Sequence, residues 1–512
     1  MIRRAAVLLA LLLWGEGARA RAQAGPVVRF VGSPSPAGVG PDILAGALEN
    51  PHDLLAPDTS RYVVSRGDVK HTTLIVLGRD VAIEGTVERD VIVVAGDLYM
   101  HPGGHIAGRG VAIGGGVYES SLASVDGGVR VFRDFTYEIQ AVPGGYVLAY
   151  RSVARPRPAS IAWPGTFGFS VPSYDRANGL SLSVSPTVTL RRDVSLEARL
   201  TYRSQLGRLD PSLVLTDSLN RHLVVRLTLE RTTRSNDVWI QPDLVNSVHF
   251  IVFGDDARNY YRAKRGALAV TDRLETPTAT FEPFAALATE RATSVRPDLT
   301  AVGGPWTLFG RRDPEDALRP NRRIDDGAIV SLLGGVRMGW SMQGVTTRVQ
   351  VAGELGRGHR LTSPAGSVEG PSETFAQTTA DGGISFPTFG AQRFRLDAHA
   401  MLTSAGTTPR QRWGYVGGPG TIPTIDMLAL GGDRVLYIDG RYDVPLSLSS
   451  IAGLGQPVLT MREVLGGAAV GAMPVLRQAA GARVSAGFAY AEWLVDPVRR
   501  TSYVGIGLST AR

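Results

Sequence analysis

The sequence predicts an all-β membrane protein. A transmembrane antiparallel β-barrel of about 12 to 16 strands follows a small right-handed β-helix-like module. Three observations predict it. Long stretches from position 178 onward alternate apolar and polar residues. Short apolar pieces separated by recurring glycines fill residues 61–118. Beyond the N-terminus, no apolar run approaches the roughly 20 residues that a spanning helix needs.

Taken in order, the chain opens on a secretory signal over residues 1–24. Arg3 and Arg4 supply its charge, residues 5–14 its apolar core, and Ala22-Gln23-Ala24 its cleavage site. That core is too short to cross a bilayer, so the mature chain is expected to leave the cytoplasm without a spanning helix. With no cysteine, the chain forms no disulfide and no thiolate metal site. The net charge is +7, from 54 Lys and Arg against 47 Asp and Glu, spread through strand-like segments. A nucleic-acid stripe would cluster those cations, so no nucleic-acid partner is expected. Residues 25–60 are rich in proline and glycine and read as a linker, with a short helical stretch near ILAGALEN.

In residues 61–118, Val81, Ile83, Val87, Val91 and Val93 are the candidate inward positions. Gly85, Gly96, Gly103, Gly108 and Gly115 recur as corners. Short strands, glycine corners and no helical period fit a parallel β-helix of about three or four stacked rungs. A small glycine-rich sandwich is the competing fold. The stretch resembles the bactofilin-like polymer-forming domains. Residues 119–172 hold two strand-like pieces and the basic ARPRPAS, and read as a connecting segment.

The barrel is assigned to residues 173–512. Leu180, Leu182, Val184, Val188 and Leu190 alternate with serines and threonines, and residues 194–203 continue the rule. It returns at 223–230, 345–355, 394–402 and 436–446. Period two makes strands with one apolar and one polar face. At about 10 to 13 residues they exceed ordinary soluble strands and match tilted spanning ones. Closing the sheet satisfies every backbone group in lipid, which an open sheet cannot do. A large secreted β-sandwich is the soluble alternative.

Residues 414–426, GYVGGPGTIPTID, lie in a long connection over 403–433. No lysine follows Gly420, so the stretch is not a phosphate loop. RWGYVGGPGTIPTI followed by GGDRVLYIDGRYDVPL resembles the late-barrel region of the bacterial surface antigen proteins, the outer-membrane assembly-factor superfamily. SYDRANGLSLSVS (173–185) resembles the segment that opens the barrel in a subgroup of them, and residues 243–266 resemble an inter-strand segment. The resemblance implies a glycine-rich loop folded into the lumen, here Arg412, Gly414, Gly417, Gly418, Gly420, Thr421 and Pro423. Two features depart from the family. Trp413 is inserted between Arg412 and Gly414, so the family's arginine salt bridge is not carried over. SYVGIGLSTAR ends on Arg512, so neither is the C-terminal aromatic. The family's POTRA domains contain helices, and residues 25–172 show no such periodicity.

The polar strand faces name ten lumen charges: Glu197, Arg199, Arg226, Glu230, Arg348, Arg393, Arg395, Asp397, Asp439 and Arg441. Interior pairing and a selectivity lining are both open to them. His101 and His105 in HPGGH have helical metal spacing, but the intervening Pro-Gly-Gly makes a β-helix corner. Asp313, Glu315 and Asp316 read as a solvated loop, Asp255 and Asp256 as turn residues. No Gly-x-Ser-x-Gly elbow occurs and nothing selects a triad, so neither enzyme activity nor a cofactor is expected. Three functions stand: outer-membrane biogenesis or translocation of polypeptide or lipid, as the resemblance implies; a passive channel; and an envelope scaffold. The expected partners are outer-membrane lipid and, through residues 61–118, other envelope proteins.

Overall fold

The computed structural model describes residues 27–31, 39–120, 122–133, 135–152, 160–163, 169–191, 193–220, 222–295, 305–308, 319–342, 344–364, 370–446, 456–487 and 489–508. The signal, the loop carrying Asp313, Glu315 and Asp316, and Arg512 lie outside them.

The N-terminal module is a three-sided parallel solenoid. Its faces are a five-stranded sheet that begins with His52–Leu55 and ends with Val129–Phe132, and two four-stranded sheets. Each rung stacks on the last: Leu98 lies beside Val81 on one side and Val117 on the other. All five predicted inward residues join one buried core with Leu74, Val76 and Ile106. Sheet strands such as Val91–Val94 are apolar on both faces, because the outer face is covered as well. The cover is helix α1 (Val39–Glu49), through Ile43 and Leu44, and the hairpin Phe135–Val142 with Gly145–Ser152. Val27–Val31 adds a parallel strand to that hairpin.

These contacts move two boundaries. Residues 25–60 are not a linker, since α1 and the first rung lie there. Solenoid strands run past 118 to Phe132, and the hairpin belongs to the same module. The residues stapling the module flank the glycine-rich repeat and carry no repeat of their own, which hid them.

The large sheet begins at Ser160, earlier than the expected 173. Among the described residues, nineteen segments occupy sixteen strand positions, all antiparallel. Three strands are each broken in two: 160–162 with 173–175, 179–184 with 187–191, and 261–272 with 274–275. The longest, Asp326–Met342 and Val345–Thr362, have 17 and 18 residues. Outward residues such as Leu229, Leu287, Leu332, Leu355 and Val504 are large, apolar and exposed, as a lipid-facing band requires. The sheet curls into a transmembrane barrel: helix α2 (Asp243–Phe253) contacts both the opening strand Ser173–Asp175 and the closing strand Thr501–Leu508. One end carries short turns, such as 276–278 and 388–392. The other carries the long connections 235–260, 295–325 and 406–433.

The module sits at the short-turn end. Arg130 pairs with Glu275 at 3.1 Å, and Thr86, Gly103 and His105 line the same cavity of about 300 Å³ as Arg395, Arg441 and Gln456.

Candidate lumen site and strand seam

The connection 406–433 folds into the lumen. Gly414–Val416 pairs with Leu430–Gly432 to form an internal hairpin. Gly417 and Gly418 take φ of 127° and 89°, and a Cβ on Gly417 would lie 2.3 Å from the Asp426 carbonyl, so only glycine fits this turn. Thr421 accepts the Gly417 N–H at 2.8 Å. Pro423 is buried, and Ile422 enters an apolar patch of wall residues Val435, Val464, Ala479 and Leu494. Gly420 lies against Ile240 of a second inward connection.

Arg412 crosses the lumen despite the inserted tryptophan. Its guanidinium reaches Glu290 at 2.8 Å and Glu354 at 3.0 Å, on two different strands. Trp413 turns away and donates its indole N–H to the Thr408 carbonyl at 3.0 Å. A short 3₁₀ turn, Arg410–Arg412, absorbs the extra residue.

The second inward segment, 235–260, follows strand Leu223–Arg234. Trp239 stacks flat on His399, ring centres 4.0 Å apart. After Pro242, the apolar run LVNSVHFIVF forms α2, with Asp243 in its first turn and Gly254 ending it at φ 77°. Asp256 is no surface turn residue. It is 3% exposed and accepts hydrogen bonds from the Arg176 N–H, the Asn246 amide and the Tyr260 hydroxyl.

All ten predicted lumen charges lie on the inward side of their strands by the observed register. Six are ion-paired: Glu197 with Arg199 at 2.7 Å, Arg395 with Asp443 at 3.1 Å, Asp439 with Arg441 at 2.5 Å, and Glu230 with Arg234. Arg348 and Asp397 line a cavity of about 200 Å³ beside Trp239 and His399. Arg393 donates to Ser385 at 2.9 Å and to the Gly344 carbonyl at 3.2 Å. Arg226 is exposed to the lumen. The loop and the charges meet around Gly420, which shares that cavity with Asp439 and Arg441.

Several partners escaped the sequence reading. Arg462 bridges Asp439 at 3.0 Å and Glu492 at 3.1 Å, and Arg483 holds Glu492 at 2.6 Å. Glu290 follows the apolar run FAALAT, whose inward positions carry alanines, so its strand shows no regular polar face. His101 bonds Glu84 and His105 bonds Ser124, on different corners. Among the described residues, no cluster of three His, Asp or Glu side chains could hold a metal.

The sheet's two ends meet without joining. Among the described residues, no backbone hydrogen bond links the opening strand at 160–175 to Thr501–Leu508. Helix α2 lies there instead. Ser247 accepts the Tyr174 N–H at 2.9 Å, and Phe250 meets the Tyr174 ring at 5.5 Å.

The chain is similar to solved membrane barrels. BamA from Haemophilus ducreyi lacking POTRA domains 1–3 is 11% identical over 73% of each chain, with a TM-score of 0.43. CdiB from Escherichia coli is 9% identical over 73% of this chain, with a TM-score of 0.38. CdiB from Acinetobacter baumannii is 11% identical over 73% of this chain, at 0.37. This chain spans 65% of the length of the CdiB chains. No family model and no curated protein matches the chain.

Proposed function

We propose that this is an outer-membrane barrel that inserts or translocates a polypeptide or lipid through its strand seam, with the solenoid on the periplasmic side. The observation that carries the reading is the seam. A barrel sealed only by a helix and side chains opens there at lower cost than one that must break a backbone ladder. The filled lumen supports it too, since two inward segments and a docked solenoid leave little room for a permanent pore. In this reading the chain binds and moves its cargo without reacting with it, and the solenoid is the face offered to other envelope proteins.

Planar-bilayer conductance tests the reading, with the full chain and a chain lacking residues 27–152. No steady current from the full chain, with openings after removal of the solenoid, is the expected result. A steady ohmic current from the full chain would favour a passive channel and overturn the proposal.

A further inference from the structure

On the outer surface of the barrel, three cations stand side by side. Arg231 lies directly opposite Lys264, and Lys264 directly opposite Arg291, on three neighbouring strands. Opposite residues of an antiparallel pair share a face, with Cβ atoms about 5 Å apart, and like charges there are destabilising. The adjacent row points inward and alternates in sign: Glu230 opposite Arg265, and Arg265 opposite Glu290. That row is neutralised within the lumen, with Glu230 3.9 Å from Arg265 and Glu290 2.8 Å from Arg412. The outward row has no such compensation. Among the described residues, none of the three outward cations forms an ion pair with an acidic side chain.

Immediately towards the membrane centre the same face becomes apolar. Leu229, Gly266 and Thr289 lie opposite one another in the next outward row. With Leu200 and Leu213 they floor an open cleft of about 1070 Å³, flanked by Trp163 and rimmed by the three cations. Gly266 keeps the floor low: a Cβ there would already touch Leu229 and Thr289 at 3.5 and 3.6 Å. The row lies near the long-connection end of its strands, where the bilayer changes from acyl chain to headgroup. Cations there are tolerated when they reach polar headgroups.

We propose that this face is a seat for one phosphate-bearing membrane lipid. Its phosphate is held by Arg231, Lys264 and Arg291, and its acyl chain lies in the cleft over Gly266. Phosphate contributes acceptor oxygens and negative charge to guanidinium and ammonium donors, which converts three repelling cations into one charge-assisted site. The inference uses only the outer wall and holds whatever the seam moves.

Native mass spectrometry of the full chain in neutral detergent tests it, with phosphatidic acid and phosphatidylcholine of identical chains as probes. One phosphatidic acid per chain is expected, held about tenfold more tightly than phosphatidylcholine, a difference of about 1.4 kcal/mol. The triple variant R231Q/K264Q/R291Q should lose that preference, and the milder K264Q should lose part of it. G266L should weaken both lipids by filling the floor. A heat-sensitive gel shift confirms that each variant is folded. Equal retention of the two lipids by the unaltered chain, or a preference surviving in the folded triple variant, overturns the proposal. So does a folded G266L variant that retains both lipids as tightly as the unaltered chain, because the cleft would then have no role.

Discussion

Arg412 holds the inward loop by a three-way contact between one cation and two carboxylates, Glu290 and Glu354. Glu290 is 3% exposed, and without Arg412 it keeps only the longer ion pair to Arg234, at 3.7 Å, so a buried charge is left poorly paired. Arg412→Ala should therefore cost about 3–5 kcal/mol. The check is the midpoint of heat-induced gel mobility change, with Arg412→Lys recovering part of the loss. Such a pair could not be read from sequence, because 122 residues separate the partners. Period-two patterning did identify the inward side of the ten charges, since the alternation that sets a strand's two faces is local.

His105 lies on the solenoid face turned to the barrel. Burial pushes its pKa down. Asp126 opposes that shift, while Arg395 and Arg393 of the barrel wall add to it; Asp443, paired to Arg395, faces it too. A histidine with a depressed folded pKa gives stability that is complete above its unfolded value, about 6.5, and is lost as pH falls through the folded value. Docking of the module should therefore weaken below about pH 6.5. Protease sensitivity of the solenoid–barrel junction against pH checks this, and His105→Gln should flatten the profile.

At the scale of elements, the solenoid depends on corners where backbone stacks on backbone. A Cβ on Gly115 would lie 2.0 Å from the Gly96 carbonyl oxygen of the rung before. Gly115→Ala should destabilise the module by about 1–3 kcal/mol. Gly46→Ala, in α1 with nothing within 4 Å, should be neutral or stabilising by up to about 1 kcal/mol. Limited proteolysis of residues 52–132 in the full chain distinguishes the two. The glycine corners were legible because their spacing repeats. The helix α1 was read only as a short stretch in a linker, because its apolar face finds its partner in Ile75, Ile92 and Val111 across the solenoid wall. The first half of the barrel's opening strand was missed for a related reason. It is split at 160–162 and 173–175, and neither piece is long enough to show a period.

At the scale of the molecule, a solenoid covers one mouth, two connections enter from the other, and among the described residues no backbone ladder joins the first and last strands of the sheet. Fold class and barrel wall were legible because period two and strand length are properties of each segment alone. The seam was not, because it is a relation between the two ends of a sheet more than 300 residues apart in the chain. Its consequence is measurable. Among the described residues, Thr501–Leu508 pairs on one side only, with Ala489–Asp496. Asp326–Met342 pairs on both sides. Amide hydrogen exchange of the reconstituted protein, read residue by residue, tests the central claim most directly. Fast exchange at alternate amides of 501–508, against slow exchange throughout 326–342, is the predicted result. Uniform slow exchange along 501–508 would show a sealed ladder and contradict an opening seam.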